Sequence, residues 1–267
     1  MVSDVERDMP AILELDQGNT RCKWRLLAPS KDRSGGFSVV ERGALARGPW
    51  WERDVLPAAW FLHPQPRVRV ANVAGSEVER KISTCLRQQL CADVEFARVT
   101  AECAGVHCAY EEVHRLGVDR WLAVVAVHHR DPGPALVVDC GSAVTLDLLG
   151  GDGRHLGGYI VPGLGLMRRA LYSDTDAVKV ESAFAERMSL APGENTADAV
   201  NRGLPMMVLG AIERAYDYLA HQCVLTGLPT PRLWMTGGDG ALMASLCDRP
   251  SQLVEDLVME GLAFTNP

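Results

Sequence analysis

The feature that most constrains this chain is a pattern that occurs twice. LELDQGNTRCKW (13–24) runs from an apolar stretch through an acid and a glycine turn into a second stretch. LVVDCGSAVTLDLL (136–149) repeats that order, with Asp139, Gly141 and Ser142 standing 123 residues after Asp16, Gly18 and Asn19. Ala11–Leu15 reads as a strand, Gln17–Thr20 as turn chemistry and Arg21–Leu27 as the returning strand, so each copy is a hairpin. A second pair of segments supports a duplication: RVRVANVAGSE (67–77) and PRLWMTGGDGA (231–241) each read as a strand that ends in a glycine turn before a helical stretch, at an offset of 163. The two offsets give the second half about 40 extra residues between its hairpin and its glycine turn. Two related α/β halves are therefore expected.

A glycine turn at a strand end gathers backbone N–H groups, and hydroxyl or amide side chains beside it add donors, which suits an anion such as phosphate. Gly18 with Asn19 and Thr20, and Gly141 with Ser142, meet that description. Asp16 and Asp139 would face phosphates across Mg2+ or another cation, because a bare carboxylate repels a triphosphate. Either turn alone is better read as an ordinary polar hairpin; the two in register favour a pair of phosphate loops. Alternation puts Lys23 on the face of Arg21 and Arg25, and the pattern fits phosphate contact and plain surface exposure equally well. In LGVDRWLAVVAV (116–127) Asp119 precedes an apolar run, which places an acid at a core edge. That acid reads either as a helix N-cap paired with Arg120 or as a general base. Gly163-x-Gly165 is followed by Arg168 rather than a third glycine, and no G-x-x-x-x-G-K-[ST] occurs, so dinucleotide-binding and P-loop architectures are disfavoured. Pro162–Leu166 reads as a loop beside the substrate pocket that opens a helix at Met167.

Charge and cysteine usage narrow the partners. With 27 basic and 34 acidic side chains the net charge is −7, which discourages non-specific nucleic-acid binding and favours small-molecule partners. No apolar run has the length of a membrane span, and Met1–Pro10 is too acidic for a secretory signal, so a cytoplasmic protein is expected. The eight cysteines are scattered without a C-x-x-C, which fits reduced thiols. Cys103, His107 and Cys108 lack a matching second ligand pair and read as packing and surface residues. Asn195–Gln222 reads as helix with a break at Gly203 and Pro205, after which Met206, Leu209, Ala211, Ile212 and Leu219 supply apolar surface.

Asp16-Gln17-Gly18-Asn19-Thr20, Gly117-Val118-Asp119-Arg120, Asp139-Cys140-Gly141-Ser142-Ala143 and Asn195-Thr196-Ala197 occur in the order and spacing of the type III pantothenate kinases, which include the Bvg accessory factor proteins. The resemblance covers nearly the whole chain and rests on the ordered set rather than on any one motif. It implies a duplicated two-lobe acetate and sugar kinase/Hsc70/actin-like fold, with ATP in a cleft between the lobes. It divides the chain into an N-terminal lobe (1–130) with the first phosphate loop and the acceptor motif, and a C-terminal lobe (131–267) with the second loop and a dimer helix.

Carried over by position, the resemblance implies that Asp16, Gln17, Gly18, Asn19, Thr20, Arg21, Cys22 and Lys23 form the first ATP loop and that Ser142 contacts ATP from the second. Asp139 would bind a monovalent cation, K+ or NH4+, beside Mg2+. Tyr110, Gly117, Val118, Asp119, Arg120 and Thr196 would hold pantothenate, with Asp119 as proton acceptor and Arg120 either neutralising the substrate carboxylate or orienting Asp119. The implied activity is ATP-dependent phosphorylation of pantothenate to 4′-phosphopantothenate, the first step of coenzyme A synthesis, by a homodimer whose pantothenate pocket draws on both chains. Two departures stand out: Ser142 replaces the usual threonine, and Val113 stands where the family commonly has proline. The competing readings are a same-fold kinase of another small alcohol and a nucleotide-binding regulatory accessory protein without turnover; retention of Asp16, Asp119, Arg120, Asp139 and Thr196 argues against the latter.

Overall fold

The computed structural model describes residues 9–30, 36–45, 49–53, 55–173 and 189–266. Residues 1–8, most of the acidic segment weighed above against a secretory signal, lie outside the described residues. The chain forms two compact units, one from Met1–Val99, Leu116–Leu122 and Val258–Pro267, the other from Thr100–Arg115 and Ala123–Leu257.

The elements of the first unit begin with β1 (Ile12–Gln17), β2 (Cys22–Pro29), β3 (Phe37–Leu45), β4 (Arg67–Asn72), α1 (Ser76–Leu90) and β5 (Val94–Phe96). There follow β6 (Glu102–Cys103), β7 (Val106–His107), α2 (Val118–Arg130), β8 (Ala135–Cys140), β9 (Ala143–Leu149), β10 (His155–Pro162) and α3 (Leu164–Ser173). The chain closes with α4 (Thr196–Thr226), β11 (Arg232–Thr236), α5 (Gly240–Leu246), β12 (Ser251–Leu253) and α6 (Leu257–Thr265). Among the described residues no helix is long and apolar enough to cross a membrane.

Each unit contains a five-stranded sheet, and the two sheets share one topology: β3-β2-β1-β4-β5 and β10-β9-β8-β11-β12. In both, the central strand pairs antiparallel with its hairpin partner and parallel with the strand that ends in the second glycine turn. The duplication read from two sequence offsets is thus a duplication of strand order and strand direction. β1 and β8 carry the same burial pattern, four buried residues followed by a half-buried aspartate and another buried residue. A strand covered on both faces reads as a nearly continuous apolar run, and β8 does so up to Asp139; β1 does so up to Asp16 apart from Glu14.

Glu14 is fully buried, and its carboxylate accepts from Arg25 Nε on β2 (2.6 Å) and Arg69 Nη1 on β4 (3.5 Å). Arg25 shares the face of Lys23, as alternation gives, but is buried there, whereas Arg21 is exposed and Lys23 half-buried. Two residue pairs inward from Asp16–Lys23 that face is covered, and the guanidinium is spent on Glu14. On the other face of β1, β2 and β4, Leu13, Leu15, Trp24, Leu26, Val68 and Val70 join Trp50, Trp60, Ile82 and Leu86 in the first core. The second core joins Leu136, Val138, Val144 and Leu146 to one face of α4.

Two expectations are corrected in the second unit. The helix after Pro162 begins at Leu164, not Met167, and Gly163 alone separates it from β10. The break expected at Gly203 and Pro205 is absent: α4 is one helix of 31 residues with Pro205 inside it. An internal proline costs about 3 kcal/mol. Leu204, Val208, Leu209, Ile212 and Leu219 are all buried on the same helix, and each apolar side chain of this size contributes roughly 1.5–3 kcal/mol on burial, so packing outweighs the lost backbone bond.

Candidate active site

The first turn closes on itself. Gly18 N–H donates to the Arg21 carbonyl (3.1 Å), and Gln17 pairs with Cys22 at the mouth of the hairpin. The second turn is tighter, with Gly141 N–H donating to the Ala143 carbonyl (3.0 Å). In both copies the glycine N–H closes the turn, so donors toward an anion come from the residues that follow: Asn19, Thr20 and Arg21 in one, Ser142 in the other. Asn19, Arg21 and Ser142 are exposed, and Gly18, Thr20 and Lys23 half-buried. Lys23 stands opposite Asp16 in the ladder. Cys22 is buried and Gln17 nearly so, which leaves the loop only the backbone of Cys22.

Each turn sets a carboxylate beside a buried thiol. Burial and then the charge of Asp16 push the Cys22 thiol well above its ordinary range. Burial, followed by Asp139 and Asp239, pushes Cys140 up to about 12. Neither thiol is a nucleophile at neutral pH.

Asp119 lies in the first turn of α2, whose hydrogen bonding opens with Trp121 N–H donating to the Gly117 carbonyl (3.1 Å). The N-cap reading is thereby corrected by two positions: Gly117 supplies the first carbonyl, and Asp119 Oδ1 accepts from Arg120 N–H (2.8 Å). A Cβ at Gly117 would come within 2.6 Å of Asp119 Oδ1, so a side chain there would push the carboxylate aside. Asp119 is half-buried, Val118 and Arg120 buried. A carboxylate at a helix N-terminus is favoured by the exposed N–H groups and the helix dipole.

Tyr110 stacks against His155, with ring centroids 6.3 Å apart and planes at 15°, and His155 Nε2 meets Asp147 Oδ1 at 2.9 Å. Between Tyr110 and Gly117 the chain makes a single 3-10 turn, Val113–Arg115, closed by Arg115 N–H to the Glu112 carbonyl (2.9 Å). The turn forms with valine at the position where proline was expected. Thr196 is the exposed first residue of α4, and Asn195 caps the helix by accepting from Asp198 N–H (2.9 Å).

Three residues pack around the second turn, of which the sequence put only Gly163 beside the site. Asp239 N–H donates to the Cys140 carbonyl (2.9 Å), and Gly163 N–H to the Ser142 carbonyl (3.2 Å). Gly237, at φ +93°, lies where a Cβ would strike Asp139 Oδ1 and the Cys140 backbone. The GGDG segment was visible as a turn, but nothing local told which strand end it packs against.

Two sheets of one topology, each with a carboxylate at the end of its central strand, place the chain in the acetate and sugar kinase/Hsc70/actin class of α/β folds. Solved structures agree on the fold. A protein described as a Baf family transcriptional activator from Campylobacter jejuni matches with TM-score 0.59 at 21% identity, over 94% of this chain and 95% of that one. One described as a 2-dehydro-3-deoxygalactonokinase from Sinorhizobium meliloti matches with TM-score 0.55 at 16% identity, over 95% and 94%. The family profile of type III pantothenate kinase matches residues 12–218. The type III pantothenate kinase of Chromohalobacter salexigens is 41% identical over 96% of this chain and 87% of its own length; that of Pseudomonas paraeruginosa is 38% identical over 96% and 99%. The chain belongs to the type III pantothenate kinase family.

Proposed function

We propose that this chain transfers the γ-phosphoryl group of ATP to the primary 4′ hydroxyl of pantothenate, the first step of coenzyme A synthesis, and that the repeated strand-end aspartates organise the transfer. The observation that carries the reading is the equivalence of Asp16, near the end of β1, and Asp139, near the end of β8, in sheets of identical order. The Asp16–Lys23 loop and Ser142 bind the phosphates, with Asp16 facing them across Mg2+. Tyr110, Gly117, Val118, Arg120 and Thr196 hold pantothenate. Asp119 accepts the hydroxyl proton as the oxygen bonds to the γ-phosphorus and the bond to ADP breaks. The first unit supplies the first loop and Asp119, and the second unit the second loop and α4 as the dimer helix.

The oxygen donors suit the implied cations. Among the described residues no three His, Cys, Asp or Glu side chains form an all-protein cage, and Mg2+ on a nucleotide needs only one or two carboxylates beside phosphate oxygens and water. Asp139 Oδ1 and the Cys140 carbonyl oxygen both border the seat of Gly237, hard oxygens fit for K+ or NH4+. When bound, the cations neutralise charge on the phosphates.

A homodimer in the cytoplasm completes the reading. Met206, Met207, Tyr218, Val224 and Leu225 stand exposed on α4, opposite its buried face, and a second copy of the same helix would cover them.

The test is turnover by purified protein. With Mg-ATP and K+ or NH4+, pantothenate should become 4′-phosphopantothenate, and the rate should fall sharply in Na+. No product above a no-enzyme control under either cation would leave the accessory-protein reading. Product only from another alcohol would leave a same-fold kinase of that alcohol.

A further inference from the structure

We infer that Trp50 is a positioning residue for the first phosphate loop, acting through the side-chain amide of Gln17. Gln17 Oε1 accepts from Trp50 Nε1 (2.7 Å), and Gln17 Nε2 donates to the Gly18 carbonyl (2.7 Å). An indole N–H can only donate and a carbonyl can only accept, so one orientation of the amide satisfies both and the flipped one satisfies neither. The Trp50–Gln17 bond is shielded, Trp50 being 1% exposed and Gln17 6%, and the bond to Gly18 is part-buried. In such surroundings an unmade hydrogen bond carries the full desolvation cost of the group left bare.

The bridge fixes the loop from the core side. Gly18 N–H is already held by the Arg21 carbonyl, and the amide of Gln17 pins the Gly18 carbonyl, so both polar groups of Gly18 are engaged at the entrance to the turn. The Gln17 carbonyl is held in turn by Val73 N–H (3.1 Å). Trp50 is itself locked edge-on between Trp60 and Trp51, with centroids 5.4 and 5.7 Å away. An aromatic cluster distant in sequence thereby sets the direction in which Asn19, Thr20 and Arg21 present their donors. Pre-set donors bind a phosphate without a further ordering cost.

The inference rests on Asp16–Lys23 being the ATP loop, and the experiment separates the two. Trp50→Phe keeps an aromatic ring and removes the donor; Gln17→Met keeps side-chain length and removes both bonds, so a folding failure in one leaves the other. Each should raise KM for ATP roughly fivefold to tenfold, the loss of one buried hydrogen bond, with KM for pantothenate changed less than about twofold. The double variant should be no worse than the weaker single, because both remove one bridge. Thr20→Ala reports on the loop itself. If Thr20→Ala raises KM for ATP while Trp50→Phe and Gln17→Met do not, the positioning role is overturned and the ATP loop stands. If Thr20→Ala is also silent, the loop assignment falls and the inference with it. Parallel rises in both KM values, or additive effects in the double variant, would mark Trp50 as a packing residue only.

Discussion

Gly237 lies against the carboxylate of Asp139, at φ +93°, with no room for a Cβ between Asp139 Oδ1 and the Cys140 backbone. A left-handed alanine costs about 1–2 kcal/mol before any overlap is counted. The overlap is with backbone and with the carboxylate proposed to hold the monovalent cation. Gly237→Ala should therefore lower kcat by on the order of tenfold and flatten the K+ titration of the initial rate, with Asp139→Asn giving the same flattening. A wild-type K+ response in both variants would remove Asp139 from the cation role.

Asp119 is held by its own helix start, with Oδ1 on Arg120 N–H. A base assists the transition state more than it holds the ground state, so Asp119→Asn should cut kcat by about 100-fold or more while KM for pantothenate changes little. Steady-state kinetics on the purified variant decide it, and near-normal turnover would assign proton acceptance elsewhere.

What the sequence made legible follows the range of the forces involved. The hairpins at Asp16 and Asp139 were readable because turn chemistry and period-two alternation are local, and their duplication was readable because strand order repeats with the turns. The continuity of α4 through Pro205 was not, since it is decided by burial of Leu204, Val208 and Ile212 against strands distant in sequence. The same holds for Gly237: its turn could be read, but its seat against Asp139 depends on β8 and β11 lying side by side. Alternation put Lys23 and Arg25 on one face correctly, but the burial of Arg25 depends on an acid on the neighbouring strand, Glu14. Side-chain burial of Cys22 inside a motif of otherwise polar character has the same origin, a turn whose closing pair already belongs to the sheet.

The Glu14–Arg25–Arg69 cluster gives a prediction about stability. Burial raises the Glu14 carboxyl above its ordinary range despite the two guanidiniums. Removing one partner of a buried ion pair strands the other charge and typically costs about 3–5 kcal/mol. Glu14→Leu should destabilise by about that much in urea unfolding. Replacing all three with Leu, Met and Met should recover most of the loss, because no charge is then left buried. A triple variant no more stable than the single one would show that the cluster supplies more than charge balance.

Acid sensitivity should come from the first unit. Glu79 is held below the usual carboxylate range chiefly by Arg98, and Glu95 chiefly by Arg67. A carboxylate whose folded pKa is depressed contributes stability above its unfolded value, here 4.5, and loses it as pH falls through the folded pKa. Thermal midpoints should thus drop as the pH is taken below about 4.5. Glu79→Gln and Glu95→Gln should each lower the midpoint at neutral pH and shallow the acid slope, and an unchanged slope in the double variant would assign the acid transition to other groups.

Thr196 opens α4, the helix whose outward face carries Met206, Met207 and Tyr218 in contact with solvent. If one protomer supplies Asp119 and its partner Thr196, two inactive variants should rescue each other. Asp119→Asn serves as one parent, and Thr196→Arg, chosen for bulk and charge, as the other. Random pairing makes half of the dimers mixed, and under closed two-fold symmetry each mixed dimer has one site with both residues intact and one with both altered. Activity should return to about a quarter of wild type per site. A pocket built within one chain leaves a defect in every copy and gives no recovery. With mixed dimers verified by differential tags and both parents folded, absence of rescue would refute the shared pocket and leave the kinase assignment untouched.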